Sequence, residues 1–305
     1  MTDYVIETRA LTKRYGKKLA LNHLDLQIPR GRIHAIVGAN GAGKSTLFRI
    51  LLGFLAPTSG QSTILGCDSQ SLTPALRSRI GFVNEEHTLP GWMTVAAVVA
   101  MQRRHYRQWN EDVHRDVLGN YHVLPEQKVS QLSRGERAGL NLSLALAQGP
   151  ELLILDEPTL GLDVVAKRAF LESLLNSNAA ESCSIIYCSH QMEEIERVAD
   201  NLIILEQGSL VNMSPPDEFC ERVHYWIADM PFKGPDKSLV PGLLQVQRIE
   251  GLFHYVVIDQ GEDFADFLRS HGARSVQGMP VSLDRAVNGF LAKNHIGPEG
   301  HEPRP

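Results

Sequence analysis

Apolar and polar residues alternate from Tyr4 to Arg9 and again from Leu19 to Ile28, which predicts two half-buried strands on either side of the turn-like Lys13-Arg14-Tyr15-Gly16-Lys17-Lys18. Other stretches are apolar without alternation: Arg32-Ile33-His34-Ala35-Ile36-Val37, Glu151 to Leu155, and Ser184 to Tyr187. Such runs predict strands buried on both faces, as in a parallel sheet. Ser62 to Leu65 and Ile80 to Val83 read as two further strands. From Glu86 to Gly149 the period lengthens, with Val95, Val98, Val99 and Met101 and then Val113, Val117 and Leu118 on helical spacing, so this segment reads as a helical insert. Helices are also predicted from Lys44 to about Phe54, from Arg134 through Ala147 with Ser133 as N-cap, and from Val164 to Leu175. Beyond about Arg222 the pattern changes to a hairpin, Leu243 to Ile249 and Leu252 to Ile258 turned at Glu250-Gly251, followed by helices at Asp263 to Ser270 and Leu283 to Ala292. The chain therefore reads as an α/β domain over residues 1–221, with its helical part at about 86–150, and a small α+β appendage over 222–305. The last stretch, Ile296 to Pro305, holds two glycines and three prolines and is expected to be disordered.

A length of 305 residues suits one large domain and one smaller one. Hydrophobic residues make up 43% and charged residues 21%, which excludes an intrinsically disordered chain. The net charge of −5 argues against a basic nucleic-acid binder. Cys67, Cys183, Cys188 and Cys220 show neither C-x-x-C pairing nor Cys/His zinc spacing and fit a reducing compartment. The first residues, MTDYVIETRA, lack the charged-then-apolar order of a secretory signal, and the richest apolar run, Val95 to Met101, is far short of a membrane span. Membrane contact is thus expected to be peripheral.

The chemistry centres on Gly38-Ala39-Asn40-Gly41-Ala42-Gly43-Lys44-Ser45-Thr46, which fits the phosphate-cradling template G-x-x-x-x-G-K-[ST] at every fixed position. Backbone N–H groups must close around phosphate oxygens, and Gly38, Gly41 and Gly43 keep that path clear of side chains. Lys44 reaches the β and γ phosphates, Ser45 offers its hydroxyl to Mg²⁺, and the helix starting at Lys44 turns the positive end of its dipole toward the anion. This predicts binding of a nucleoside triphosphate. Asp156-Glu157 stands at the C-terminal end of a buried strand, where α/β sheets place their chemistry: Asp156 can hold Mg²⁺ and Glu157 can orient or deprotonate a water. His190 lies just past the next strand, on the same predicted sheet edge, in reach of a γ phosphate. Tyr15 either stacks on the nucleotide base or ends its strand half-buried; spacing alone leaves both open.

Taken in order, these motifs resemble the ATP-binding cassette of ABC transporters. LSRGE (Leu132 to Glu136) stands where that family has LSGGQ, followed by LLILDE (Leu152 to Glu157), GLD (Gly161 to Asp163) and SH (Ser189-His190), and the resemblance spans roughly residues 4–213. It implies a P-loop NTPase fold, a RecA-like core with an N-terminal β subdomain and a helical signature subdomain, using ATP and Mg²⁺. It further implies that Tyr15 stacks on adenine, Glu157 is the catalytic base, His190 contacts the γ phosphate, and Asp163 belongs to the loop coupling two sites. Ser133 and Gly135 would contact the γ phosphate bound by a second cassette, in a homodimer or heterodimer.

The signature departs from the family at Arg134, where Gly is usual, and at Glu136, where Gln is usual. In place of the metal-contacting Gln this chain has Glu85, which can accept from a metal-bound water but cannot donate while ionised. A Glu there is similar to exporters whose cassette and permease are separate chains. The resemblance therefore implies an ATPase on the inner, cytoplasmic face of the cell membrane driving a separate integral membrane permease, in the export direction. The competing reading is a soluble cassette ATPase acting on nucleic acid or ribosomes; those proteins resemble tandem or coiled-coil-split cassettes, whereas this chain shows one cassette and no sustained heptads.

Overall fold

The computed structural model describes residues 3–176, 183–230 and 234–292. The predicted disordered tail lies outside them. By internal contacts the chain forms two units, one of the residues up to His190 with Arg197–Met213, the other of Gln191–Glu196 with the residues from Ser214 onward.

The first unit holds two sheets. One is antiparallel, with strands β1 (Tyr4–Tyr15), β2 (Lys18–Pro29), β4 (Ser59–Ile64) and β5 (Cys67–Asp68) in the order β2-β1-β4-β5. Alternation of apolar and polar residues ends at Arg9, yet the strand runs on to Tyr15. Register shifts interrupt the β1–β2 ladder between Thr8 and Leu11 and again between Leu11 and Arg14. An extra residue at such a bulge reverses the side-chain parity, so a period-two pattern breaks while the pairing continues. Ala10 and His23 take positive φ values of 44° and 47° in this region.

The second sheet contains β3 (Ile33–Val37), β6 (Ile80–Val83), β7 (Leu152–Asp156), β8 (Ser184–Cys188), β9 (Asn201–Glu206) and β10 (Ser209–Ser214), ordered β10-β9-β3-β8-β7-β6. β3, β8, β7 and β6 are parallel neighbours, and β9 pairs parallel with β3. Alternate residues of each run serve opposite faces, which explains the unbroken apolar stretches. Leu152, Ile154 and Ile186 join one core with Leu47, Phe48 and Leu26. Leu153, Leu155 and Tyr187 join the other with Leu142, Phe170 and Leu174. The parallel order brings the C-terminal ends of β3, β7 and β8 to one edge.

The helical insert comprises Val95–His105, Glu111–Leu118 and Arg134–Ala147, N-capped by the side chains of Thr94, Asn110 and Ser133. Its own core joins Val95, Val98 and Val99 to Leu132, Leu140 and Leu144.

In the second unit, β11 (Val223–Asp229), β12 (Leu243–Ile249), β13 (Leu252–Ile258) and β14 (Ser275–Met279) form an antiparallel sheet ordered β12-β13-β11-β14, with helices Asp263–Ser270 and Leu283–Ala292. The predicted hairpin turn is present, with Glu250 at φ 50° and Gly251 at φ 87°; two successive left-handed residues make the tight turn that suits twisted strands. Trp226, Tyr255, Val257, Phe264 and Leu268 form this unit's core. Among the described residues no helix is long and apolar enough to cross a membrane.

Burial of His34 on β3 lowers its imidazole pKa to about 4, against an ordinary 6.5. Its Nε2 meets the Pro29 carbonyl oxygen at 3.1 Å. Above pH 6.5 neither folded nor unfolded chain protonates this ring; between about 6.5 and about 4 only the unfolded chain does, so stability is lost as pH falls through that window. The loss is expected to reach on the order of 3 kcal/mol at its foot. Denaturant unfolding between about pH 7 and pH 4.5 should show a shallower slope for His34→Gln than for the parent, and equal slopes would refute the linkage.

Candidate functional site

The loop between β3 and the helix Lys44–Leu51 takes its shape from its glycines. Gly41 and Gly43 have φ values of 87° and 105°, and Gly43 caps the helix. A Cβ on Gly43 would lie 2.5 Å from the Ala20 carbonyl oxygen, and one on Gly38 would lie 2.3 Å from the Leu205 carbonyl oxygen. Lys44 Nζ donates to the Gly38 oxygen at 2.6 Å, so the ammonium is held over its own loop.

A cavity of about 400 Å³ opens on this loop, lined by Tyr15, Lys18 and Ala20 together with Asn40 through Thr46. Tyr15 is 44% exposed, and the Lys13 ammonium lies 5.4 Å from its ring centre. Tyr15 thus stands partly exposed at the cavity wall with the Lys13 ammonium over its ring. Lys18, paired with Tyr15 across the turn, is a cation outside the phosphate-loop motif. Its Nζ would lie 3.9 Å from a Cβ on Gly41, close enough for its charge to act on a bound phosphate. The signal was a lysine directly after the β1 turn, legible only once the strand pairing is known.

At the end of β7, burial pushes the Asp156 carboxyl above its ordinary value; a hydrogen bond with Cys188 and the charge of Lys44 oppose the shift, while Glu157 and Glu85 add to it. Glu157 stands in left-handed backbone at φ 51°, its N–H donating to the Cys188 carbonyl oxygen at 2.9 Å. Its Oε2 is 2.8 Å from His190 Nδ1. The order β3-β8-β7 thus sets the phosphate loop, His190 and Glu157 along one edge, and a non-glycine residue in the left-handed region there is a strained position of the kind found at functional sites.

The donors Ser45, Asp156 and Glu85 are hard oxygens, which suit Mg²⁺ rather than a softer metal. The crowding of acids that raises the Asp156 pKa is a field that a divalent cation would relieve. Among the described residues no group of three or more His, Cys, Asp or Glu side chains can hold a metal alone, so phosphate oxygens would share the coordination.

Ser133, Gly135 and Asp163 do not line the cavity. Ser133 Oγ accepts from the Glu136 N–H at 3.2 Å while a Glu136 carboxylate oxygen accepts from the Ser133 N–H at 2.7 Å, a reciprocal cap that gives Glu136 a local role. The serine hydroxyl proton remains free to donate. A Cβ on Gly135 would lie 2.7 Å from the Ala166 Cβ, so glycine is required for the helices Arg134–Ala147 and Val164–Asn176 to approach. Asp163 caps the second of these through the Ala166 N–H at 2.8 Å. Arg134 rests its guanidinium on Gly161, 2.6 Å from the place of an added Cβ.

A model of the ABC transporter family matches residues 21–160. The Nod factor export ATP-binding protein I of Rhizobium johnstonii is 32% identical over 227 residues, covering 73% of this chain and 73% of that protein. The ABC transporter ATP-binding protein YtrB of Bacillus subtilis is 28% identical over 292 residues, 95% of this chain and 98% of its own length, so that likeness continues through the second unit. Among solved structures, cbiO1 of Clostridium perfringens, part of the ABC transporter complex cbiONQ, gives a TM-score of 0.61 at 27% identity over 71% of this chain and 90% of that one. Similarity of this extent, on motifs already arranged around one sheet edge, leaves a single assignment: the chain belongs to the ATP-binding proteins of ABC transporters, the ATPase subunits of those machines.

Proposed function

We propose that this chain hydrolyses Mg·ATP to drive a separate integral membrane permease in the export direction, working with a second cassette on the cytoplasmic face of the membrane. The carrying observation is the 2.8 Å pair of Glu157 and His190 on the edge that also holds the phosphate loop. Tyr15 stacks on adenine, Lys44 pairs with the β and γ phosphates, and the amides of Gly38 through Thr46 bind phosphate oxygens. Glu157 takes the proton of the attacking water, and His190 fixes that carboxylate while its other ring nitrogen meets the γ phosphate. Ser45, Asp156 and Glu85 would hold Mg²⁺, which supplies positive charge at the phosphates. Ser133, Gly135 and the Asp163 loop face the ATP of the second cassette. Export rests on the name of the Rhizobium relative and on Glu85.

Purifying the tagged chain from detergent-solubilised membranes and identifying what accompanies it tests the partner. A multi-span membrane protein is the expected companion; ribosomal proteins or nucleic acid in its place would favour the competing function. The docking surface is expected around Trp92, which is 79% exposed although its neighbours Leu89 and Met93 pack into the insert core. A lone solvent-exposed tryptophan on a packed base is suited to burial in an interface. A photoreactive residue at position 92 should cross-link to the permease in intact membranes, and adducts confined to this chain would exclude the surface.

A further inference from the structure

The segment joining β6 to the helix Val95–His105 carries Glu85 near the site acids and Trp92 in solvent, and between them His87 turns inward. It is 1% exposed and takes φ 47°, and its N–H donates to the Asn84 carbonyl oxygen at 3.1 Å. Its Nε2 lies 2.8 Å from the carbonyl oxygen of Pro158, 71 residues away. Proline has no N–H, so this carbonyl is its whole backbone hydrogen-bonding capacity, and Pro158 is buried.

Pro158 directly follows Glu157. The Glu157 N–H is held by Cys188, its carbonyl accepts from Leu160 at 3.2 Å, and its carboxylate meets His190. The His87 bond fixes the next peptide in the same turn. Left-handed backbone at a glutamate persists only where its surroundings enforce it. If the Pro158 carbonyl lost its donor, the turn would relax and the carboxylate would swing off its line to His190.

His87 also carries a buried Nδ1 with no hydrogen-bond partner, and Arg137 a buried Nε likewise. A ring serving only packing would not need a buried acceptor left bare; leucine would fill the space without that penalty. Arg134, at the head of the signature helix, meanwhile rests on Gly161. The Glu157-to-Asp163 loop is therefore gripped at both flanks, by the segment after β6 and by the signature helix.

We propose that His87 is a positioning residue for Glu157, so that movement of the Glu85–Trp92 segment is transmitted through the Pro158 carbonyl to the orientation of the carboxylate. The proposal rests on Glu157 being the base, as argued above. It makes the segment that carries the docking tryptophan a lever on hydrolysis, without a change in the nucleotide cavity, whose lining includes neither His87 nor Pro158.

The test uses the full chain as His87→Gln, His87→Asn and His87→Leu, each alone and combined with Glu157→Gln. Glutamine carries its amide nitrogen as far from the backbone as Nε2 and keeps the donor; asparagine falls short, and leucine has none. We expect kcat to fall about tenfold or more for Leu and Asn and to stay within about threefold for Gln, with ATP affinity within about twofold throughout. In the Glu157→Gln background, single-turnover hydrolysis should change less than about twofold on adding His87→Leu, because the group it positions is gone. Should the leucine variant fail to fold, the Asn and Gln pair decides alone. Full kcat in the Asn variant, equal losses for Gln and Asn, or multiplicative losses in the double variant would overturn the proposal. A Glu157→Gln single variant with full kcat would instead overturn the base assignment.

Discussion

Lys44→Ala is expected to weaken ATP binding roughly a hundredfold, the loss of a charge-assisted contact to phosphate worth about 1.5–3 kcal/mol. The fold should survive the change. Lys44 opens its helix, where alanine is a favourable residue, and its ammonium donates to the loop carbonyls of Gly38 and Ala39. Removing it leaves the glycine backbone in place with its strongest side-chain counterion gone. Lys18→Ala should weaken binding only a few-fold, because Lys18 is solvent-exposed and its charge is screened. Isothermal titration with a non-hydrolysable ATP analogue measures both, and unchanged affinity in Lys44→Ala would refute the phosphate-loop assignment.

That contrast marks where the sequence could be read. Gly38, Gly43 and Lys44 act on their own loop, and the chemistry dictates residue types at fixed local spacing, so the motif is visible as written. β3, β6, β7 and β8 of the parallel sheet were equally plain, because burial on both faces forces unbroken apolar runs such as Leu152–Asp156, whereas β9, a run of the same kind at Asn201–Glu206, went unassigned. The full length of β1 was hidden by bulges that reverse parity. β11 lies between two assigned segments, and β14, nearly all exposed, has no buried face to produce a pattern. Lys18 and His87 were missed for another reason. Each meets its counterpart across a turn or across 71 residues, and nothing in the local spacing marks a histidine whose partner is the carbonyl after Glu157.

Glu157→Gln should bind ATP normally, hydrolyse it at least about a hundredfold more slowly, and dimerise when Mg·ATP is present. The variant keeps the shape of the side chain and a hydrogen-bonding partner for His190 but removes the carboxylate that would accept a proton from water. The phosphate loop supplies charge and amide donors on one side of ATP only, and Ser133 and Gly135, which stand at the start of the 14-residue signature helix, do not line that cavity. A second chain would bring this helix start against the exposed γ phosphate, the Ser133 hydroxyl donating while its oxygen still accepts from the Glu136 N–H. ATP then bridges two subunits, and hydrolysis removes the bridging charge, which couples the chemistry to opening and closing. Blocking hydrolysis holds the closed form. Adding Ser133→Arg should release it by placing bulk where phosphate must sit, and a Ser133→Ala control, which removes the capping hydroxyl without adding bulk, separates that steric effect from loss of the helix cap. Light scattering with and without Mg·ATP reads the outcome: a Glu157→Gln chain that binds ATP yet remains monomeric at every accessible concentration would rule out a self-sufficient homodimer and leave a sandwich that only the permease or a different cassette completes.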